Sequence, residues 1–232
     1  MAYAGCLKGK NMFEREMLKV YFVAGTQDCR HETSGSPQQK LLGVLETALQ
    51  NGITCFQLRE KGEFSLQDEN QMIELAKDCR DLCRQFGVPF VLNNDVALAV
   101  NLGADGVHIG QSDMAAVEAV KLTNGKLFLG ISNSSVEHLQ SSFRLPEIDY
   151  FAVGAIFPTQ SKPDAVQNLG VEFVRTARQL IGDKPLVAIG GITLENAKLL
   201  RQAGADGVAV ISAITQAADK AAAVRQLREI FA

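Results

Sequence analysis

Gln57, Arg59 and Lys61 alternate along one short run, "TCFQLREKGE" at 54–63. The run opens as a buried strand does, on Cys55, Phe56 and Leu58, and then sets down an amide and two cations. If the backbone is extended there, period 2 gives Gln57, Arg59 and Lys61 a common direction and turns Glu60 away from them. Arginine suits bidentate contacts to oxyanions, and lysine offers a point charge. Together they point to a bound phosphate or diphosphate. A solvated strand end laced with salt bridges would use the same residues, so the other polar clusters have to decide.

Such clusters recur at the ends of apolar runs. Asn93, Asn94 and Asp95 close one run, and "GQSD" (Gln111, Ser112, Asp113) follows another. Carboxylates beside cations suit an anion site only when a divalent ion bridges them, and Mg²⁺ is commonly held by one or two carboxylates plus substrate phosphates. Ser132 ends "LFLGIS", and "FPTQSKPD" supplies Thr159, Ser161 and Lys162. Gly190-Gly191 and Ile211-Ser212 close two later runs, where glycine lets a backbone approach a phosphate closely. "IGGI" also fits a plain tight turn. The sum implies two anion-binding places, one with a metal, and hence one substrate with a diphosphate and another with a phosphate.

Other chemistry finds less support. His108 sits mid-run in "GVHIG" and reads as a barrel-interior or core histidine; His31 and His138 receive no role. No Ser/His/Asp or Cys/His arrangement emerges, and no zinc spacing, which disfavours covalent acyl chemistry. Lys162 lies among hydroxyls, a setting that suits phosphate better than a Schiff base.

The elements that must position these residues are legible as alternation. Apolar runs at 19–25, 54–60, 89–94, 106–110, 127–132, 150–157, 185–191 and 207–212 lack period-2 patterning, as parallel strands covered on both faces do. Amphipathic segments lie between them, several ending in glycine (Gly52, Gly87, Gly103, Gly182, Gly204), a common helix C-terminal cap. Eight strands alternating with eight helices predict an α/β fold, a (β/α)8 TIM barrel, with active-site residues at the C-terminal strand ends. A doubly wound open sheet fits less well, because no G-x-G-x-x-G follows the first strand. Residues 1–232 are expected to form a single barrel domain, with 1–17 as an N-terminal helical extension over the barrel floor. The loop "TQDCRHETSGSP" is the longest irregular stretch and a candidate lid.

Composition narrows the partners. With 232 residues, net charge −3 and 47% hydrophobic residues, the chain favours neither nucleic acid nor membrane as a partner, and any basic site must be local. No run approaches the roughly 18 apolar residues that span a bilayer, and the start lacks a signal-peptide core. Five cysteines without a regular framework read as reduced thiols in a cytoplasmic protein. Cys79 and Cys83, one helical turn apart, read as helix packing rather than as metal ligands. The partners expected are small-molecule substrates, and a homo-oligomer is left open.

With these residues placed, the chain resembles the thiamine phosphate synthase family. The matching pieces are "QLREK" (57–61), "GVHIGQSD" (106–113), "LGIS" (129–132), "GAIFPTQSK" (154–162), "VAIGGI" (187–192) and "GADGVAVISAI" (204–214), in the family's order and spacing. The resemblance implies a transferase that joins an aminopyrimidine methyl diphosphate to a thiazole ethyl phosphate, with Mg²⁺ as cofactor. It implies that Gln57 contacts the pyrimidine, and that Arg59, Lys61, Asn93, Ser132 and Lys162 hold the diphosphate. Asp113 and the residue at Asn94 would face the metal, while Thr159, Ser161, Gly191, Ile211 and Ser212 would position the thiazole phosphate. Two departures stand out: the family usually has aspartate where this chain has Asn94, and more often threonine where it has Ser161. Asn94 removes one charge from the metal site, so weaker Mg²⁺ binding is expected, with Asp95 as a substitute if it can reach. The alternatives are a related thiazole tautomerase, which would want a histidine in the loop after the fifth strand, and a non-catalytic, regulatory phosphate-binding barrel.

Overall fold

Strands buried on both faces need helices outside and side chains inside, and this chain supplies both by closing its sheet. The computed structural model describes residues 13–161 and 168–232. There the strands β1 (Val20–Ala24), β2 (Cys55–Leu58), β3 (Phe90–Asn93), β4 (Gly106–Ile109), β5 (Phe128–Asn133), β6 (Tyr150–Val153), β7 (Leu186–Ile189) and β8 (Gly207–Val210) pair in parallel, each with the next. β8 returns to β1 through Val20↔Val208, Tyr21↔Ala209 and Phe22↔Val210, so the barrel is closed.

The helices are α1 (Pro37–Asn51), α2 (Glu69–Phe86), α3 (Val96–Leu102), α4 (Ala116–Thr123), α5 (Val136–Phe143), α6 (Val171–Ile181), α7 (Ala197–Gln202), α8 (Ser212–Thr215) and α9 (Lys220–Ile230). The four-residue α8 was not legible in the sequence. α1 begins with local chemistry: Ser36 accepts from the Gln39 N–H, the Gln39 side chain returns the bond, and Pro37 occupies the first turn. Gly52, Gly87 and Gly103 end their helices in left-handed backbone, as the glycine spacing predicts.

The strands' two faces pack against different things. Val20, Phe22, Ala24, Phe56, Leu58 and Phe90 pack outward beneath the helices, while Tyr21, Val23, Cys55, Val91, Phe128, Tyr150, Val187 and Ala209 fill the interior. Both faces are apolar over most of their length, which is why the sequence shows runs rather than alternation. Glycines make room for the largest interior rings. A Cβ on Gly106 would stand 2.3 Å from the Phe128 ring, and one on Gly130 would stand 2.0 Å from the Tyr150 ring.

Phe13 closes the barrel floor, with its ring 5.6 Å from Tyr150 and 5.5 Å from Phe128 between centroids. A 3-10 turn at Arg15–Leu18 then leads into β1. The rest of the expected extension, 1–12, lies outside the described residues, as does Cys6. Cys79 and Cys83 are fully buried on α2, in keeping with a packing role.

The expected lid after β1 is fastened rather than open. Its start, Thr26–Cys29, is a 3-10 turn. The Thr26 N–H and hydroxyl both donate to Glu60, a nitrogen of the His31 ring lies 3.0 Å from the Thr215 carbonyl, and Glu32 pairs with Lys220. Side-chain bonds of this kind cannot be read from a loop's composition. Among the described residues, no helix is long and apolar enough to cross a membrane.

Candidate active site

A cavity of about 250 Å³ opens at the C-terminal ends of the strands. Its lining includes Gln57 and Arg59 from the end of β2, Asn93 from β3, Ser132 from β5, Thr159 and Ser161 from the loop after β6, Gly191 after β7, and Ile211 and Ser212 after β8. These nine were named from sequence, and the barrel brings them to one place. Gln57 and Arg59 are nearly buried despite their polarity. Burial of polar groups at this level needs partners. Gln57 finds one in the Tyr21 hydroxyl, to which its Nε2 donates at 2.8 Å.

Arg59 is set by its neighbours on the first loop. Its carbonyl accepts from Gln27 Nε2 at 2.7 Å, and its charge acts on Asp28. Burial still pushes the Asp28 carboxyl up, against the bond it accepts from the Gly25 N–H and the pull of Arg59. Lys61 differs from the reading by period: β2 ends at Leu58, and Lys61 lies exposed on the rim, outside the cavity lining. The strand pairing that would hold it in line with Arg59 ends before it. Lys162 lies outside the described residues.

Asn94 and Asp113 form a pair of their own. Asn94 Nδ2 donates to Asp113 Oδ1 at 2.8 Å, and the Gly110 N–H donates to Asp113 Oδ2 at 2.7 Å. The Asn94 N–H meets the His108 carbonyl at 2.8 Å, which seats the residue against β4 in left-handed backbone, φ 67°. Asparagine tolerates that conformation. Asp95 has a structural use: its side chain caps α3 by accepting from the Leu98 N–H at 2.8 Å. Among the described residues, no group of three or more His, Cys, Asp or Glu side chains could hold a metal. One carboxylate and one amide nevertheless make a donor set that fits Mg²⁺ when an anionic substrate adds its oxygens. The fit requires Asn94 to turn its amide oxygen toward Asp113.

The glycine pair after β7 has a packing reason. A Cβ on Gly190 would fall 2.5 Å from Ala155 Cα, and one on Gly191 would fall 2.4 Å from the Pro158 carbonyl. Both glycines have positive φ, 99° and 61°, and the Phe157 N–H donates to the Gly190 carbonyl. The two positions therefore dock the β6 loop onto β7 as well as lining the cavity.

His108 and Tyr21 also line the cavity. His108 is a barrel-interior histidine, as expected, but it does more than fill space. Its Nε2 lies 2.8 Å from Ser132 Oγ and its Nδ1 lies 2.9 Å from the Tyr150 hydroxyl. A Ser/His contact therefore exists although the sequence shows none, because β4 and β5 are neighbours with His108 opposite Gly130. The other ring nitrogen faces the Tyr150 phenol, where a nucleophilic triad would place a carboxylate. Tyr21 went unnamed for a plain reason: a tyrosine inside an apolar run looks like core.

The family model for thiamine monophosphate synthase matches residues 20–214. A thiamine-phosphate synthase of Pasteurella multocida is 53% identical over 210 residues, covering 90% of this chain and 95% of the relative. One from Haemophilus influenzae is 50% identical over 216 residues, 93% of this chain and 95% of its own. Among solved structures, a thiamine phosphate pyrophosphorylase from Pyrococcus furiosus superposes with a TM-score of 0.79 at 30% identity, covering 94% of this chain and 96% of that one. With a closed eightfold barrel, a polar cavity at its C-terminal mouth and relatives matched along nearly their whole length, this chain belongs to the thiamine monophosphate synthase family.

Proposed function

We propose that this chain is a transferase that joins an aminopyrimidine methyl diphosphate to a thiazole ethyl phosphate, yielding thiamine phosphate and diphosphate. One observation carries the reading: a single cavity gathers Gln57, Arg59, Asn93 and Ser132 on one side and Thr159, Ser161, Gly191 and Ser212 on the other. An anion and a ring fit the first set, and a phosphate fits the second.

The reaction asks little proton chemistry of the protein. The thiazole nitrogen is a neutral nucleophile, and the aminopyrimidine can stabilise a benzylic-type cation, so the carbon–oxygen bond can break ahead of attack. The chain's residues then hold charge and geometry. Arg59, Lys61, Asn93, Ser132 and Lys162 receive the departing diphosphate, with Arg59, Lys61, Ser132 and Lys162 counted as catalytic because they meet charge as it develops. Gln57 orients the pyrimidine; Thr159, Ser161, Gly191, Ile211 and Ser212 orient the thiazole phosphate. The fastened loop after β1 limits access of water, which would otherwise capture the cation. Asp113 and Asn94 would hold Mg²⁺ together with diphosphate oxygens, and the ion would supply further charge neutralisation on the leaving group.

The test is direct. Protein given both substrates and ample Mg²⁺ should release inorganic diphosphate in step with thiamine phosphate. Ligand-induced thermal stabilisation without turnover would instead favour a binding protein. Crystals soaked with Mg²⁺ and diphosphate should show the anion among Arg59, Lys61, Ser132 and Lys162, with the metal beside Asp113. Diphosphate bound elsewhere would overturn the assignment of roles.

A further inference from the structure

A continuous line of polar side chains crosses the barrel interior beneath the cavity. Gln57 Nε2 lies 2.8 Å from the Tyr21 hydroxyl, which lies 2.9 Å from the Tyr150 hydroxyl. That hydroxyl is 2.9 Å from His108 Nδ1, and His108 Nε2 is 2.8 Å from Ser132 Oγ. The line starts and ends at residues that line the cavity on different strands. Its middle is held by packing: Gly130 leaves space for the Tyr150 ring, which also stacks against His108 at 5.5 Å.

Counting hydrogens gives the line a direction. An amide nitrogen donates and cannot accept. Gln57 Nε2 therefore donates to the Tyr21 oxygen, and the Tyr21 hydrogen must go onward. Burial holds both phenols well above their ordinary pKa, so each keeps one hydrogen to donate. The Cys55 thiol also neighbours Tyr21, but sulfur is a weak acceptor. Tyr21 then donates to Tyr150, Tyr150 to His108 Nδ1, and His108 Nε2–H to Ser132 Oγ. The Ser132 hydrogen is left for the cavity.

We propose that this chain of hydrogen bonds runs one way, from Gln57 to Ser132, and that Tyr21, Tyr150 and His108 are positioning residues that make Ser132 a donor toward the departing anion. The same direction commits one Gln57 N–H inward and leaves its carbonyl oxygen as the acceptor offered to a ligand. Reversed, the chain would take the Ser132 hydrogen for His108 Nε2, and the hydroxyl could not donate to an anion. The identity of that anion rests on the function proposed above; the direction does not.

Two measurements test it. In wild-type protein labelled with ¹⁵N-histidine, the His108 ring, assigned by its loss in His108→Gln, should show a hydrogen on Nε2 and a bare, pyridine-type Nδ1. A hydrogen on Nδ1 overturns the proposal, whether or not the protein makes thiamine phosphate. In turnover, Tyr150→Phe and His108→Leu should each lower kcat by about tenfold to a hundredfold while KM for the diphosphate substrate stays within about twofold. His108→Gln, which keeps an N–H near the position of Nε2, should recover most of the loss. In a Ser132→Ala background, His108→Leu should cost no more than about a further twofold, because it acts through the missing hydroxyl. Equal losses in both backgrounds, or full activity in Tyr150→Phe, would overturn it. A wild-type protein without transferase activity defeats the functional reading and leaves the NMR result to decide the direction.

Discussion

Asn94 Nδ2 donates to Asp113 Oδ1 across 2.8 Å, so the single carboxylate at the expected metal position already has an amide hydrogen on one oxygen and the Gly110 N–H on the other. A cation binding there must displace the Asn94 hydrogen and gains only one negative charge. Asn94→Asp should therefore lower the Mg²⁺ concentration for half-maximal activity, by roughly tenfold on charge grounds. The same substitution should lower Tm without Mg²⁺, since two carboxylates would meet at hydrogen-bond distance, and Mg²⁺ should restore it. Aspartate tolerates the left-handed backbone at this position nearly as well as asparagine, so the effect reads charge. An unchanged metal requirement in a titration of both proteins would refute it.

The two cations after β2 should differ in weight. Arg59 is nearly buried in the cavity wall, whereas Lys61 is exposed beyond the strand end. Arg59→Ala should lower kcat by about a hundredfold or more, as loss of a preorganised charge in a water-poor site does. Lys61→Ala, which removes a charge that solvent screens more strongly, should cost nearer tenfold. Lys162→Ala should also lower kcat with the fold intact by circular dichroism. Equal effects of Arg59→Ala and Lys61→Ala in steady-state kinetics would remove the distinction.

Gly130→Ala tests the packing that carries Tyr150. The added Cβ would lie 2.0 Å from the Tyr150 ring, which is fully buried and has little room to move aside. Overpacking of this kind costs about 1–3 kcal/mol, visible as a lower urea midpoint. Activity should fall as well, because the displaced ring carries the hydroxyl between Tyr21 and His108. A variant with wild-type stability would mean the interior yields more readily than close packing allows.

Stability should decline in alkali. Burial pushes the Cys29 thiol up to about 12 from an ordinary 9.0 and holds Cys55, Cys79, Tyr21 and Tyr150 well above their usual values. Above about pH 9 the unfolded chain gives up thiol protons that the folded chain keeps, so the folded state binds more protons and loses stability as pH rises. Below that pH the contribution is fully present. The urea midpoint should hold from about pH 7 to 8.5 and fall by pH 10.5, less steeply in Cys29→Ala. A midpoint flat across that range would contradict the linkage.

Eight strands, their order and most of the cavity rim were legible in the residue pattern alone. Parallel strands covered on both faces are written as unbroken apolar runs, and a polar cluster ending such a run can lie only at a barrel mouth. Arg59, Ser132 and Ser212 could be named on that ground. Which side chains touch is set by the closure of the barrel. Tyr21 and Tyr150 are 129 positions apart and share a hydrogen bond, Asn94 meets Asp113, and His108 meets both Tyr150 and Ser132. Closing the sheet brings alternate residues of distant strands into one interior layer, and no local pattern records that closure. Lys61 and Asp95 show the same limit from the other side. Where β2 stops and where α3 takes its cap are settled by neighbours the local sequence does not name.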